Sequence, residues 1–223
     1  MKTITNNELD SVLKEYPISN EKEKNKILPL KQSPNGDIYY GEWSNDERYR
    51  NGRGIVLKNS GTKLEGYFNR NKLEYKGQIY FKNGNNYRGE IQNHKINGNG
   101  AFTWINGDRY EGGWKDGKKH GNGMFTWANG VVYNGEFQND KREGTGQMIY
   151  PKKYLSDRDV YYKGEWKNDK RDGRGIEMYS DGSMYEGDFK NGRFHGNGRF
   201  TWADGTKWEG TWANGKQLNE KIN

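Results

Sequence analysis

The stretch YEGGWKDGKKHGNGMFTWANG, residues 110–130, decides the fold, because it returns almost unchanged as YEGDFKNGRFHGNGRFTWADG at residues 185–205. Aligning the remaining chain on this stretch gives a series of repeats of about 23 residues. Self-similarity at such a period is typical of architectures in which each repeat packs on its neighbours. The repeats begin at Tyr39, Leu64, Tyr87, Tyr110, Tyr133, Tyr162, Tyr185 and Trp208.

Within each repeat, large aromatic residues and glycines stand at every second position. In the repeat that begins at Tyr110, Gly112 and Trp114 alternate with polar residues, and the second half continues this spacing. A spacing of two puts such residues on one face of a β-strand. An Asn-Gly or Asp-Gly pair, which favours a tight turn, follows the second half in most repeats. Each repeat therefore predicts a β-hairpin.

The pairing of rings with glycines predicts how the hairpins pack. A ring on one strand can lie over the bare backbone of a glycine on the neighbouring strand, and it buries area that one hairpin cannot bury alone. The other face is too polar to pack on a second sheet. We therefore predict an all-β fold: an open, single-layer, elongated antiparallel β-ribbon of about seven and a half hairpins. A β-propeller or closed barrel would need less polar strands and a period of about 40 residues.

The composition agrees with a fold held together by rings on glycines. Hydrophobic residues make up 30% of the chain and the mean hydropathy is -1.31, values that alone would place the sequence close to disordered chains. Aromatic residues nevertheless reach 14%, with 32 glycines and only 4 prolines. There is no cysteine, no N-terminal apolar signal segment and no long apolar run. These features lead us to expect a cytoplasmic protein.

The pattern Tyr-x-Gly-x-Trp/Phe, then Gly-x-Gly-x-Phe-x-Trp, then Asn/Asp-Gly resembles the MORN repeat, the membrane occupation and recognition nexus motif. The resemblance covers residues 39–217, about four fifths of the chain, with residues 218–223 as a tail. It departs from the family pattern at Leu64 and Tyr75 and at the insertion in residues 151–159. The resemblance implies a non-enzymatic scaffold, similar to those of ciliary radial spokes and protist cytoskeletons, with homodimers as an option.

Residues 1–38 carry no repeat and are expected to form a short helix and a linker. Leu9, Val12, Leu13 and Tyr16 follow the i, i+3, i+4, i+7 spacing of one helix face. Asn6 is the expected N-cap, Pro17 closes the helix, and residues 18–35 are the expected linker. Two interpretations stay open: the helix caps the edge of the first hairpin, or it docks a partner.

The residue inventory predicts neither an enzyme nor a cofactor or metal site. His94, His120 and His195 belong to different repeats, so they cannot share one metal ion within the chain, and a structural role in turns is expected. The glycine pairs lack the lysine of a phosphate-binding loop. Nucleic-acid binding is not expected either, because the packed face needs the aromatic rings that would otherwise stack on bases.

The first turn of several repeats is rich in lysine and arginine, in a chain of formal net charge +7. This pattern predicts a basic edge for acidic partners or anionic lipid headgroups. The alternative is that the turns are charged only for solubility, since acidic residues are interspersed. The residues predicted for this surface are Lys115, Lys118, Lys119, Lys141, Arg142, Lys170, Arg171 and Arg193.

The regularly spaced rings predict sockets for a partner protein. The leading interpretation is a structural scaffold or adaptor within a cytoskeletal or axonemal assembly of a cilium; the alternative is a peripheral membrane protein that binds anionic phospholipids through the basic turns. The residues predicted to bind the partner are Trp104, Trp114, Phe125, Trp127, Phe137, Trp166, Phe189, Phe200, Trp202 and Trp212.

Overall fold

The computed structural model describes residues 3–16, 25–151 and 159–218. These residues form helix α1 (Asn6–Glu15) and seventeen strands, which belong to one antiparallel sheet and confirm the predicted all-β class. The strands are β1 (Lys26–Gln32), β2 (Ile38–Trp43), β3 (Arg50–Leu57), β4 (Lys63–Asn69), β5 (Lys72–Tyr80), β6 (Asn86–Gln92), β7 (Lys95–Thr103), β8 (Arg109–Lys115), β9 (Lys118–Thr126), β10 (Val132–Gln138), β11 (Lys141–Ile149), β12 (Asp159–Lys167), β13 (Lys170–Tyr179), β14 (Met184–Lys190), β15 (Arg193–Thr201), β16 (Lys207–Ala213) and β17 (Lys216–Gln217).

The described residues group into two compact bodies. The N-terminal body contains the described residues up to Gly107 together with Trp114–Gly117. The C-terminal body contains Asp108–Gly113 and the described residues from Lys118 onwards. Each body is built from the same hairpin, in which a strand pairs with the next strand of the chain.

The hairpin register repeats along the chain. In the C-terminal body, β10 pairs with β9 through Tyr133 and Phe125, and with β11 through Gly135 and Gly146. The β10–β11 register then shifts, so that Phe137 lies opposite Arg142. Comparable shifts occur in the β12–β13 and β14–β15 hairpins and, within the N-terminal body, in β2–β3, β4–β5 and β6–β7. A bulge of this kind bends and twists the strand that carries it.

In six of the repeats the core of the hairpin is a tyrosine that lies on two glycines. A Cβ atom added to Gly123 would lie 2.5 Å from Cε2 of Tyr110, and one added to Gly112 would lie 2.8 Å from its hydroxyl oxygen. The ring thus covers a glycine of its own strand and one of the next strand, which confirms the predicted packing of rings on bare backbone. The fully buried tyrosines are Tyr39, Tyr87, Tyr110, Tyr133, Tyr162 and Tyr185.

Each of these tyrosines also has a fixed hydrogen-bond partner. The Tyr133 hydroxyl donates to the carbonyl oxygen of Glu136 at 3.0 Å, three residues further along the chain. This bond satisfies a polar group that burial would otherwise leave unpaired. The equivalent acceptors are the carbonyl oxygens of Glu42, Glu90, Gly113, Glu165 and Asp188.

A second aromatic residue joins consecutive repeats edge to face. In the C-terminal body, the Phe137 ring centroid lies 5.1 Å from those of both Tyr110 and Tyr133. Trp166 stands in the same way between Tyr133, at 5.3 Å, and Tyr162, at 5.2 Å. Edge-to-face pairs at such distances add stabilisation beyond the buried area. The face that carries these rings and glycines is called the tyrosine face below, and the other is called the opposite face.

The N-terminal segment differs from its prediction in two places. Helix α1 is present, but its N-cap is Thr5 and not Asn6: the Thr5 side chain accepts from the Glu8 amide, and the Glu8 carboxylate accepts from the Thr5 amide. Residues 26–32, expected to be linker, form β1, which pairs antiparallel with β2. Pro17, residues 17–24, most of the insertion in residues 151–159, and residues 219–223 of the predicted tail lie outside the described residues.

Helix α1 covers a face of the sheet and not the edge of the first hairpin. Val12 and Ile4 are buried against Ile55 of β3, on the opposite face. Strand β1 instead pairs with the free side of β2, so β2 is not an edge strand. The repeat alignment missed this additional hairpin. Of the two interpretations of this helix, the one in which it caps the edge of the first hairpin is therefore wrong. The described part of the chain contains no helix long and apolar enough to cross a membrane.

Candidate binding surface

The predicted basic residues fall into two groups in the structure. Lys119, Arg142 and Arg171 lie on the tyrosine face, half-buried above the aromatic rings. The Arg142 guanidinium lies 4.4 Å from the Trp166 ring centroid, and that of Arg171 lies 5.4 Å from the centroid of Tyr162. Cations in such positions are attracted by the ring quadrupole. Burial lowers the pKa of the Lys119 ammonium group, which lies 4.7 Å from the Phe125 centroid.

The remaining predicted basic residues are exposed at the first turns. Acidic residues of these turns accept hydrogen bonds from backbone amides of the preceding repeat. Asp140 accepts from the Lys119 amide at 2.9 Å, and Asp169 accepts from the Arg142 amide at 3.0 Å. The acidic residues therefore brace one hairpin turn against the next. The exposed basic residues are Lys115, Lys118, Lys141, Lys170 and Arg193.

Most of the predicted partner-binding rings are buried inside the tyrosine face, where they fill space between repeats. The Trp166 indole also donates to the Gly146 carbonyl at 3.2 Å, which fixes its orientation. Because these rings are buried, they can support the surface that a partner would contact but cannot contact the partner themselves. The buried members of the predicted set are Trp114, Phe125, Phe137, Trp166, Phe189 and Trp212.

Four members of the predicted set keep accessible area near the second turns. Trp104, Trp127 and Phe200 are half-buried, and Trp202 is 40% exposed. In the C-terminal body, Trp127 lies 4.5 Å from Phe125 and Trp202 lies 5.0 Å from Phe200, measured between ring centroids. The turn that follows holds each tryptophan in place, since the Trp202 amide donates to Thr206 and its carbonyl accepts from Gly205. These positions present flat apolar surface on rigid backbone.

The structure adds one polar pair that the repeat pattern did not predict. Glu177 occupies the position of Phe125 and Phe200 in their repeats, on the tyrosine face, and only 2% of its surface is exposed. Its carboxylate contacts the guanidinium of Arg171, which lies above the Tyr162 ring. The sequence signal for this pair is a glutamate at a position that the other full repeats fill with an apolar residue.

The histidines remain separate and lie beside turns. The His94 Nδ1 atom accepts from the Leu73 amide at 3.1 Å, and burial lowers the pKa of this imidazole. His120 and His195 are half-buried at equivalent positions before the glycine pair. Across the described ranges, no group of three or more metal-ligating side chains lies close enough to hold an ion. The bond to the Leu73 amide gives His94 a structural role beside its turn.

These features define a protein built from β-hairpin repeats. The family model of the MORN repeat matches residues 87–109, 110–132, 133–153, 162–184 and 185–207, just over half of the chain. The chain therefore belongs to the MORN repeat family, whose repeats form non-enzymatic scaffolds that bind proteins or lipids. The Tyr39 hydroxyl makes the same bond as its counterparts, so the structural repeat extends further towards the N-terminus than the matched residues.

Comparison with individual proteins adds distant likenesses only. No curated protein matched the sequence. Among solved structures, the TCP domain of SAS-4 (dCPAP) of Drosophila melanogaster, solved with a proline-rich motif of Ana2 (dSTIL), is 11% identical with a TM-score of 0.31, covering 88% of this chain and 94% of that chain. The G-box domain of the microcephaly protein CPAP is 12% identical with a TM-score of 0.38, covering 85% and 99%. At these TM-scores neither likeness supports an argument about fold or function.

Proposed function

We propose that this protein is a non-enzymatic adaptor that holds a partner protein within a cytoskeletal or axonemal assembly. The observation that carries the proposal is the pair of accessible tryptophans at equivalent turns of the C-terminal body, Trp127 and Trp202. A rigid aromatic ring loses little conformational freedom on binding, and tryptophan is enriched among residues that dominate binding energy. The assembly and the cytoplasmic location follow from the MORN resemblance.

The tryptophans are supported from below by the rest of the tyrosine face. Trp127 packs on Phe125, Phe125 lies opposite Tyr133 in the sheet, and the Tyr133 ring lies on Gly135 and Gly146. A ring held by buried neighbours presents its accessible side without rearrangement. A partner segment with apolar side chains at the spacing of the repeats would meet a preformed surface.

The test is proximity labelling in the native cell, with the full chain and two variants as baits. The double variant Trp127→Ala/Trp202→Ala is expected to lose the labelled partner proteins, while its far-ultraviolet circular dichroism stays that of the parent protein. Met124→Ala, an exposed residue 41% accessible on the opposite face, serves as the control and should keep them. If both variants label the same proteins as the parent chain, the tryptophans are not the binding surface.

A second candidate function, binding of anionic phospholipids, is favoured by the exposed first-turn cations. Lys118 and Lys170 occupy equivalent turn positions, and Lys141 lies in the turn between them along the chain. Vesicles that contain phosphoinositides should retain the protein at low salt and release it as the ionic strength rises. The variant Lys118→Glu/Lys170→Glu should bind weakly, whereas Lys119 and Arg171 are held above rings and are unsuitable positions for this test. Equal retention of the parent chain and the variant by the vesicles would show that the basic turns are not the lipid-binding surface.

A further inference from the structure

Helix α1 shows how the opposite face of this sheet binds a helix. Val12 is buried against Ile55, and the Arg53 guanidinium donates to the Leu13 carbonyl at 2.8 Å, near the C-terminal end of the helix. Carbonyl groups in the last turn of a helix lack partners within the helix, so a guanidinium is a suitable donor for them. With the helix in place, only 14% of the Arg53 side chain is exposed.

The C-terminal body carries the same two residues at the same positions. When the repeats are aligned on Tyr39 and Tyr162, Arg53 corresponds to Arg174 and Ile55 to Ile176. In the sequence, no other repeat combines arginine and isoleucine at these positions. Ile176 lies opposite Lys163 in the sheet, as Ile55 lies opposite Tyr40. Arg53 and Ile55, which contact α1, thus have identical counterparts in the C-terminal body, where Lys163 stands at the position of Tyr40.

Apolar side chains extend the surface at Arg174 and Ile176 across five strands. They lie directly opposite one another in the register, with Ile149 42% and Met178 39% exposed. At about 4.8 Å per strand the row is about 19 Å long, which matches a helix of about 13 residues. Its members, from β10 to β14, are Val132, Ile149, Tyr161, Met178 and Met184.

A groove lies beside the row and offers both apolar surface and charge. It has a volume of about 760 Å³, and Lys163, Arg174, Ile176 and Glu186 line it above a floor of glycines. The Arg174 side chain is 82% exposed, with its Nε atom 3.5 Å from Asp188. The guanidinium that α1 covers in the N-terminal body is therefore accessible in the C-terminal body.

We propose that this row and groove, the second helix surface, bind an amphipathic helix of a partner protein with the chemistry of α1. Such a helix carries apolar side chains at i, i+3, i+4 and i+7 and places the carbonyl groups of its last turn against Arg174. The surface lies on the face opposite to Trp127 and Trp202. It therefore adds a separate site to the proposed adaptor function, and either test can fail without the other.

The experiment uses a synthetic peptide of residues 3–16 with a photoreactive group at Ser11, which is exposed in α1. The peptide is mixed with the full chain, and the cross-links are mapped by mass spectrometry. Cross-links between residues 132 and 184 are expected. They should disappear with a peptide in which Leu9 and Val12 are replaced by aspartate. Cross-links confined to residues 38–65, where the peptide would replace the chain's own helix, overturn the proposal, as does the absence of cross-links.

Three variants of the full chain locate the site. Arg174→Glu and Met178→Asp change exposed side chains, so the fold should persist, and each should weaken peptide binding about tenfold by removing a charge-assisted hydrogen bond or apolar contact. Ile105→Asp changes an apolar side chain that is 74% exposed outside the surface and should leave binding unchanged. Equal binding by all three variants would overturn the proposal.

The same samples distinguish a second copy of this chain as the occupant. Light scattering of the parent chain and of Met178→Asp should give the same mass at all concentrations used for cross-linking. If the parent chain self-associates and the variant does not, the occupant is α1 of another copy and the partner-protein assignment is wrong.

Discussion

The tyrosine that lies on two glycines leaves no room for a side chain at either glycine. A Cβ atom at Gly198 would lie 2.5 Å from Cζ of Tyr185, whose ring is also stacked on Phe194 at 3.7 Å. The ring cannot move aside without losing both this stack and its hydroxyl bond to the Asp188 carbonyl. The glycine spacing in the sequence is therefore a steric requirement of the ring and not a signal for flexibility.

Replacing Gly198 by alanine should lower the free energy of unfolding by about 3 kcal/mol, because the added methyl group overpacks the Tyr185 site. Urea denaturation followed by tryptophan fluorescence measures the change. Gly205→Asn is the matched control: this turn glycine has φ +85°, no atom lies within 4 Å of the added Cβ, and asparagine tolerates left-handed backbone. A Gly198→Ala protein as stable as the control would contradict the packing described here.

The same tyrosines should make the fold sensitive to alkaline pH. Burial raises the pKa of Tyr110 and of Tyr185 to about 12, whereas a phenol in the unfolded chain titrates at about 10. Between about pH 10 and about pH 12 the unfolded chain releases these protons first, so the free energy of unfolding falls as the pH rises. Below this window the stabilisation is fully present.

Absorbance of tyrosinate and circular dichroism, recorded together, measure this effect. The buried tyrosines should ionise only as the sheet unfolds, above the titration of the exposed ones. A single titration near pH 10 of all 16 tyrosines, with an unchanged dichroism spectrum, would show that the rings are not buried in solution.

At the scale of elements, the docking of α1 on the sheet can be tested at its buried valine. Val12 is 2% exposed against an Ile55 that is fully buried. Val12→Asp would bury an unpaired carboxylate, so we expect α1 to leave the sheet and the free energy of unfolding to fall by about 2–4 kcal/mol. Ser11→Asp, one residue away and exposed, should cost little. Urea titrations measure the free energy of unfolding of both variants. Equal values for the two variants would show that Val12 is not buried against the sheet.

The hairpins could be predicted from the sequence, but β1 could not be found by the same criterion. Its sequence, KILPLKQ, contains neither the ring nor the glycine that defines a repeat strand, and it includes Pro29. The available signal was the following Ser33–Asp37 turn, SPNGD, which makes the same two backbone bonds as the turn that opens at Trp202. The N-cap was readable too, because Thr5 and Glu8 have the spacing of a capping box.

At the scale of the whole molecule, stability should depend on complete repeats. Removing residues 185–207 deletes one repeat of the C-terminal body and brings Trp208 to the position of Tyr185 in the alignment. We expect this variant to fold with lower stability, since repeat proteins sum contributions of repeats and their interfaces. Removing residues 185–196 deletes only half a repeat, so the antiparallel alternation fails and the protein should aggregate or lose its sheet spectrum. Thermal denaturation followed by circular dichroism compares the two.

The location of the candidate site was only partly predictable. The spacing of two correctly puts all the predicted rings on one face, but it cannot say which of them are covered. Phe137 is buried because Tyr110 and Tyr133 flank it, whereas Trp202 stands at the turn and stays accessible. The same limit applies to the cations: Arg142 and Lys141 are adjacent in sequence, and strand alternation puts only Arg142 above a ring.

The first strand also restricts where further strands can be added to the sheet. Pro29 has no amide hydrogen, and the β1–β2 register is interrupted between Leu28 and Lys31. The Nζ atoms of Lys26 and Lys31 both lie within 4 Å of the Glu47 carboxylate, so charged groups line the edge of the sheet at β1. A strand appended before β1 would find a broken row of donors. A further hairpin repeat would therefore extend the sheet more readily if it were inserted downstream of β1 than before it.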